Sequence, residues 1–128
     1  MDDASPRPPR RRLSRSGDFD AVYQRGRSAA NRHLVVYAFS REDGPADAPR
    51  LGLSVSRKVG DATERNRVKR VLREQFAAIT PAMSAHVDVV VIARPGVVSY
   101  VAEQGGDALG SRLRELIERL ELSAHTAP

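Results

Sequence analysis

The chain has 128 residues, 41% of them hydrophobic, no cysteine, a formal charge of +5 and a pI near 10.4. That length supports one modest core rather than two domains, and the lack of cysteine removes disulfides, thiolate metal sites and thiol catalysis, as suits a reducing compartment. No apolar run approaches the roughly 20 residues of a membrane span, and Met1-Asp2-Asp3 leads into prolines and arginines rather than an apolar signal region, so a soluble, unprocessed, cytoplasmic protein is expected.

In chain order, residues 1–12 are rich in proline and arginine with almost nothing apolar, and read as a disordered basic tail. It serves either as a solubilising segment or as one that orders on a polyanion. A single domain is expected over 13–122, with a short tail over 123–128. Ser16 can cap a short helix from Gly17 to Arg25 that stops at Gly26, and Phe19, Val22 and Tyr23 share one face of it. His33 to Ser40 (HLVVYAFS) is β-branched and aromatic, and Leu51 to Arg57 (LGLSVSR) alternates strictly. With Gly44, Pro45 and Pro49 between them, the two read as a strand pair joined by a loop. A helix follows from near Ala62 and ends before Pro81. Val87 to Ala93 (VDVVVIA) is the most buried-looking strand, closed by Pro95-Gly96, and an amphipathic helix runs from about Leu109 to Leu122 with Leu113, Leu116, Ile117 and Leu120 as its stripe. The predicted order is α-β-β-α-β-α.

The helix from Ala62 carries the densest functional signal. Residues 65–73 (RNRVKRVLR) hold five cations in nine positions. At 100° per residue Val68, Val71, Leu72, Phe76 and Ile79 fall on one side, while Asn66, Arg67, Lys69, Arg70 and Arg73 spread over the other. Asp61 with Glu64 three residues on forms a capping box signature, so the charge sits in the first turns. Solvated charged helices ordinarily mix signs at i,i+4, yet Arg65, Lys69 and Arg73 stand at repelling spacings. Cations clustered in this way are the footprint of a nucleic-acid-binding face. Charge is also divided along the chain: residues 81–128 carry four Arg against six Asp/Glu, which leaves +7 for residues 1–80. An anionic partner should therefore meet the first two thirds.

The second strand adds a groove. Leu51, Leu53 and Val55 point to one face, and Gly52, Ser54 and Ser56 to the other. If Tyr37 shares the face of Ser54 and Ser56, and the first helix leans Phe19 and Tyr23 over it, a shallow aromatic-walled groove with a hydroxyl floor results. Such a groove suits single-stranded nucleic acid. From spacing alone, Phe19 and Tyr23 at i,i+4 are more often core contacts than base platforms.

The run Gly52-Leu53-Ser54-Val55-Ser56-Arg57-Lys58-Val59-Gly60, followed by Arg65-Asn66-Arg67-Val68-Lys69-Arg70 and Arg73-Glu74-Gln75-Phe76, resembles the protein subunit of bacterial ribonuclease P. Asp18-Phe19, Tyr23, Gly26, Ala30-Asn31-Arg32 and Ile92-Ala93-Arg94-Pro95 extend the resemblance over roughly residues 10 to 121. Departures are small: Asp61 stands where the family commonly has Asn, and Thr63 where it often has Val. The resemblance implies an α+β fold, an α/β sandwich with a small mixed sheet. In it the basic helix joins two parallel central strands by a left-handed crossover, against the usual right-handed rule. It implies a catalytic RNA partner and hydrolysis of precursor tRNA to release the 5′ leader, with Mg²⁺ held mainly by the RNA subunit and substrate. No obligate protein partner is implied. Carried over, Arg65, Asn66, Arg67, Lys69, Arg70 and Arg73 go to the RNA subunit. Phe19, Tyr23, Tyr37, Ser54 and Ser56, with Lys58 at the rim, go to the leader.

The residues themselves suggest no catalytic or metal site on the protein. Asp18 and Asp20 fall in the first turn of a helix, where the dipole favours them. His33, His86 and His125 lack the i,i+4 partner of a helical metal pair, and no Gly-rich phosphate loop or nucleophile–base pattern occurs. A ribosomal or RNA-chaperone protein would share the charge pattern without raising any cleavage rate. A protein-only nuclease would need clustered carboxylates, and the acids here are dispersed.

Overall fold

A computed structural model describes residues 27–40, 49–83 and 87–120. The expected helix at Gly17–Arg25, with Phe19 and Tyr23, and both expected tails lie outside the described residues. Among the described residues four strands, β1 (Arg27–Ala30), β2 (Leu34–Ser40), β3 (Arg50–Ser54) and β4 (Val87–Ala93), form one mixed sheet in the order β1-β2-β4-β3. β1 and β4 pair antiparallel to β2, and β3 pairs parallel to β4. Three helices lie among the described residues: α1 (Ala62–Ile79), which ends in a 3-10 turn at Thr80–Ala82, α2 (Val97–Gln104) and α3 (Gly106–Arg119).

β2 and β3 are not neighbours, contrary to the strand pair expected from the sequence. β4 lies between them, hydrogen-bonded to both. Its composition explains the place: Val87 to Val91 are all buried, and a strand apolar on both faces gains most in the interior of a sheet. Among the described residues β3 is then an edge strand, so the parallel pair joined by α1 is not wholly central. β3 is also shorter than expected. Its ladder stops at the pair Ser54 and Ile92, and Ser56 to Val59 form a turn in which Val59 N–H donates to the Ser56 carbonyl at 3.0 Å. β1 (RSAA) was not anticipated, since Ala29 is its one hydrophobic side chain packed against the core. α2 was likewise missed, and α3 starts one turn early, because Gly96 and Gly105 (φ +100° and +90°) punctuate a segment with little helical patterning.

The helices pack on one sheet face. Leu34, Val36 and Ala38 of β2, Leu51 of β3 and Val89, Val91 and Ala93 of β4 form a core with Val68, Leu72, Phe76 and Ile79 of α1 and Leu109, Leu113, Leu116 and Ile117 of α3. Each fully buried Leu contributes about 1.5–3 kcal/mol relative to exposure. α1 and α3 approach closely where α3 has no side chains. A Cβ at Gly106 would stand 3.2 Å from Val71 Cγ1, and one at Gly110 would overlap the Gln75 side chain. The opposite sheet face carries a separate apolar set, Val90 with Tyr37, Phe39 and Ile92.

Candidate nucleic-acid interface

The start of α1 is built as the sequence indicates. Asp61 Oδ1 accepts from Glu64 N–H at 2.8 Å, and Glu64 Oε1 accepts from Asp61 N–H at 2.9 Å, closing a reciprocal capping box. Gly60 has to be small here, because a Cβ would press on the Glu64 carboxyl. Burial of Val68, Leu72, Phe76 and Ile79 fixes the rotation of the helix. That rotation leaves Asn66, Arg67 and Arg70 exposed, with Arg65, Lys69 and Arg73 half-buried along the flanks. Arg65 Nε donates to the Gly60 carbonyl at 3.2 Å, staking its guanidinium against the turn that enters the helix. Arg57 and Lys58, both exposed in that turn, extend the basic surface toward the end of β3. Five cations on one capped helix can neutralise successive phosphates, and their rigid scaffold reduces the ordering cost of doing so.

Of the residues expected to floor a groove, the strand register places Tyr37 and Ser54 on one sheet face. Register aligns Ser28, Tyr37, Val90 and Gly52 in one row across the sheet, and Ala30, Val35, Ile92 and Ser54 in the next, all on the face turned from α1 to α3. Tyr37 and Ser54 therefore share a face and are half-buried, with Gly52 offering no side chain between. Ser56 does not belong to this floor. It is exposed in the turn beyond the strand, where its Oγ accepts from Lys58 N–H at 3.3 Å. Lys58 is exposed. Phe19 and Tyr23 lie outside the described residues.

A feature of this face that sequence reading missed is the pair Arg50 and Asp88. Both Arg50 Nε and Nη2 donate to the Asp88 carboxylate, each at 2.7 Å, with Asp88 only 3% exposed. They lie in one row with Phe39 at the end of the floor away from Ser54. A lone acid inside VDVVVIA was the available signal, but its partner is 38 residues away and follows only from register. The bidentate geometry neutralises a carboxylate that would otherwise repel phosphate. Among the described residues no group of three or more His, Cys, Asp or Glu side chains is placed to hold a metal ion. No helix there is long and apolar enough to cross a membrane. His33 stacks on Tyr100 with ring centroids 4.0 Å apart, while His86 and His125 lie outside the described residues.

The sequence matches the Ribonuclease P family over residues 8–121. It is 47% identical over 92 residues to the ribonuclease P protein component of Brevibacillus brevis, covering 72% of this chain and 71% of that protein. The corresponding protein of Staphylococcus epidermidis is 46% identical over 83 residues, 65% of this chain and 70% of that one. Among solved structures, the RNase P protein from Thermotoga maritima superposes with a TM-score of 0.75 at 32% identity, over 86% of this chain and 97% of that chain. The RNase P protein from Staphylococcus aureus gives 0.71 at 30% identity, over 92% and 95%. A mixed sheet backed by helices, a capped basic helix after a Ser-x-Ser-x-Lys segment and these likenesses agree: the chain belongs to the ribonuclease P protein family.

Proposed function

We propose that this chain is the protein subunit of a cytoplasmic ribonuclease P ribonucleoprotein, and that it divides its labour between two surfaces. The exposed side of α1, with Arg65, Asn66, Arg67, Lys69, Arg70 and Arg73, binds the catalytic RNA. The sheet face bearing Tyr37 and Ser54, with Lys58 at the rim and Phe19 and Tyr23 from the amino-terminal segment, holds the 5′ leader of precursor tRNA. Ser56 acts from the turn beside Lys58 rather than from the floor. The observation that carries this reading is the rotation of α1, which buries its apolar stripe and turns Asn66, Arg67 and Arg70 outward together.

Cleavage is hydrolysis of a phosphodiester, and Mg²⁺ held by RNA and substrate would supply activation of the attacking water. The chain's own groups bind and orient. Guanidinium and ammonium groups on α1 neutralise phosphates of the folded RNA, and Tyr37 offers a stacking face that tolerates any leader base. No second protein is required.

Reconstitution tests this. Rigorously RNA-free protein, the RNA subunit and precursor tRNA are combined at low Mg²⁺, together and singly. The expected result is leader release only when both subunits are present, with the RNA alone retaining slow activity at high Mg²⁺. Leader release by the protein alone would make it a nuclease in its own right. RNA binding without any stimulation of cleavage would place it with the RNA chaperones.

A further inference from the structure

The turn between β1 and β2 gathers a second set of cations, remote in sequence from α1. Asn31 builds the turn. Its Oδ1 accepts from the N–H groups of His33 and Leu34 at 3.1 and 3.0 Å, and its Nδ2 donates to the Arg112 carbonyl of α3 at 3.1 Å. Two arginines are tied to the same backbone: Arg94 Nη1 donates to the Asn31 carbonyl and Arg119 Nη1 to the Ala30 carbonyl, each at 3.0 Å. Arg32 sits in the turn itself and is exposed. The acid joined to this cluster is Glu115, whose oxygens are shared between Arg112 at 3.2 Å and Arg119 at 3.1 Å. Among the described residues, Arg32, Arg94, Arg112 and Arg119 thus gather about this turn with one carboxylate bonded to two of them, and each guanidinium keeps N–H donors beyond those used here.

Convergence of like charge costs stability unless an anion relieves it. A neighbouring group registers the excess. The His33 ring, stacked on Tyr100 of α2, has its pKa lowered by burial first and then by Arg32 and Arg112, and its buried Nδ1 has no hydrogen-bond partner. The position of the cluster also matters. β3 and β4 are parallel and end at Ser54 and Ala93, which is the end of the sheet where β2 begins at Leu34 and β1 finishes at Ala30. The chain enters α1 shortly after leaving β3 at that same end. At about 4.8 Å between strands the four-stranded sheet is roughly 14 Å from edge to edge, so one folded RNA can reach both basic features.

Resting on the RNA-binding reading above, we infer that Arg32 and Arg112, flanked by Arg94 and Arg119, form a second phosphodiester-backbone site, distinct from the α1 face and from the sheet groove. The turn holds two of the guanidiniums by backbone carbonyls, so the site is ordered before RNA arrives. Its phosphates come either from the catalytic RNA or from the precursor tRNA, and the two sources separate experimentally.

The test pairs Arg32→Gln with Arg112→Gln in the full chain. Neither side chain bonds the turn's backbone, and the exposed link from Arg112 to Glu115 contributes little, so the melting temperature should stay near wild type. Arg32→Gln alone decides the matter should the pair destabilise the fold. Affinity for the RNA subunit, and of the assembled particle for precursor tRNA, is measured over a salt series, with Arg65→Ala/Arg67→Ala as comparator. The expected result is a severalfold loss at low salt and a log–log salt slope shallower by roughly 1.4–1.8, the share of two phosphate contacts. Loss on the RNA subunit identifies it as the source, and loss only on precursor tRNA identifies the substrate. A single-stranded RNA oligonucleotide should also raise the His33 pKa in wild type, read by ring proton shifts, and not in the double variant. Unchanged slopes for both ligands, while the α1 comparator loses its own, overturn this site alone. If the comparator also loses nothing, the RNA-binding reading of α1 falls with it.

Discussion

Asp61 separates the structural from the electrostatic role of the helix start, because two substitutions there should move stability and RNA affinity in different directions. Its Oδ1 satisfies the Glu64 N–H at 2.8 Å, and the side chain is exposed. Asp61→Asn keeps an acceptor of similar capping strength and removes only the charge favoured by the helix dipole, costing about 0.3–1 kcal/mol. Asp61→Ala removes the acceptor as well, adding about 1 kcal/mol. For a chain of 128 residues each kcal/mol moves the melting temperature by roughly 3–5 °C. Asn should therefore lower it by roughly 1–5 °C and Ala by roughly 4–10 °C. RNA affinity should move the other way for Asn. A unit negative charge ~10 Å from a phosphate costs about 0.4 kcal/mol in water before screening, so its removal should strengthen binding by up to about twofold at low salt. Thermal melts and RNA-subunit titrations of the three proteins measure both effects. Equal destabilisation by Asn and Ala would show that the acceptor does not cap α1. Weaker RNA binding by Asp61→Asn would refute the placement of RNA beside the start of the helix.

Gly110→Ala drives a methyl group into the Gln75 side chain, whose Nε2 is held by Asp107 Oδ1 at 3.1 Å; set against the roughly 0.5–1 kcal/mol gained by replacing a mid-helix Gly, a net loss of about 0.5–2 kcal/mol is expected. Adding Gln75→Ala should recover most of it, and a neutral single variant in thermal melts would deny the close packing of α1 on α3. Phe19→Ala or Tyr37→Ala should weaken precursor tRNA binding by about 1–3 kcal/mol per lost stack and leave mature tRNA unaffected. Equal losses for both ligands with a depressed melting temperature would assign these rings to the core. The lowered pKa of His33 means that the unfolded chain binds the extra proton first, at its ordinary value near 6.5. Stability should therefore be intact above that pH and fall on acidification toward the folded value. His33→Gln should reduce the fall in melting temperature between pH 7.5 and pH 5.5, and an unchanged fall would contradict the assignment.

Much of the basic helix was legible because it depends on local rules. The limits of α1 follow from Asp61, Glu64 and Pro81, and its buried stripe of Val68, Leu72, Phe76 and Ile79 follows from helical period alone. β4 was legible as a strand for the same reason, since VDVVVIA is apolar on both faces. Its place between β2 and β3 is a tertiary outcome, and reading those two strands as partners overlooked that a doubly buried strand belongs inside a sheet. β1 carries little side-chain signal: Arg27 to Ala30 pair through backbone, and the turn that permits it is made by one side chain, Asn31. Ser56 was assigned to the floor by extending an alternation beyond Ser54, where the ladder had already run out. Arg50 with Asp88, and the arginines around Asn31, are meetings of residues distant in sequence, which only the register of the sheet and the path of α3 bring together.

The claim that α1 is the RNA-subunit face is tested most directly by the salt dependence of assembly. Arg65→Ala with Arg67→Ala removes two cations without touching the buried stripe, and the fold should persist apart from the Arg65 link to the Gly60 carbonyl. If these residues meet phosphates, affinity for the RNA subunit falls and the plot of log affinity against log salt becomes shallower by roughly 1.4–1.8, as counterion release from two contacts is lost. A folded double variant that assembles with wild-type affinity and wild-type slope would contradict the account.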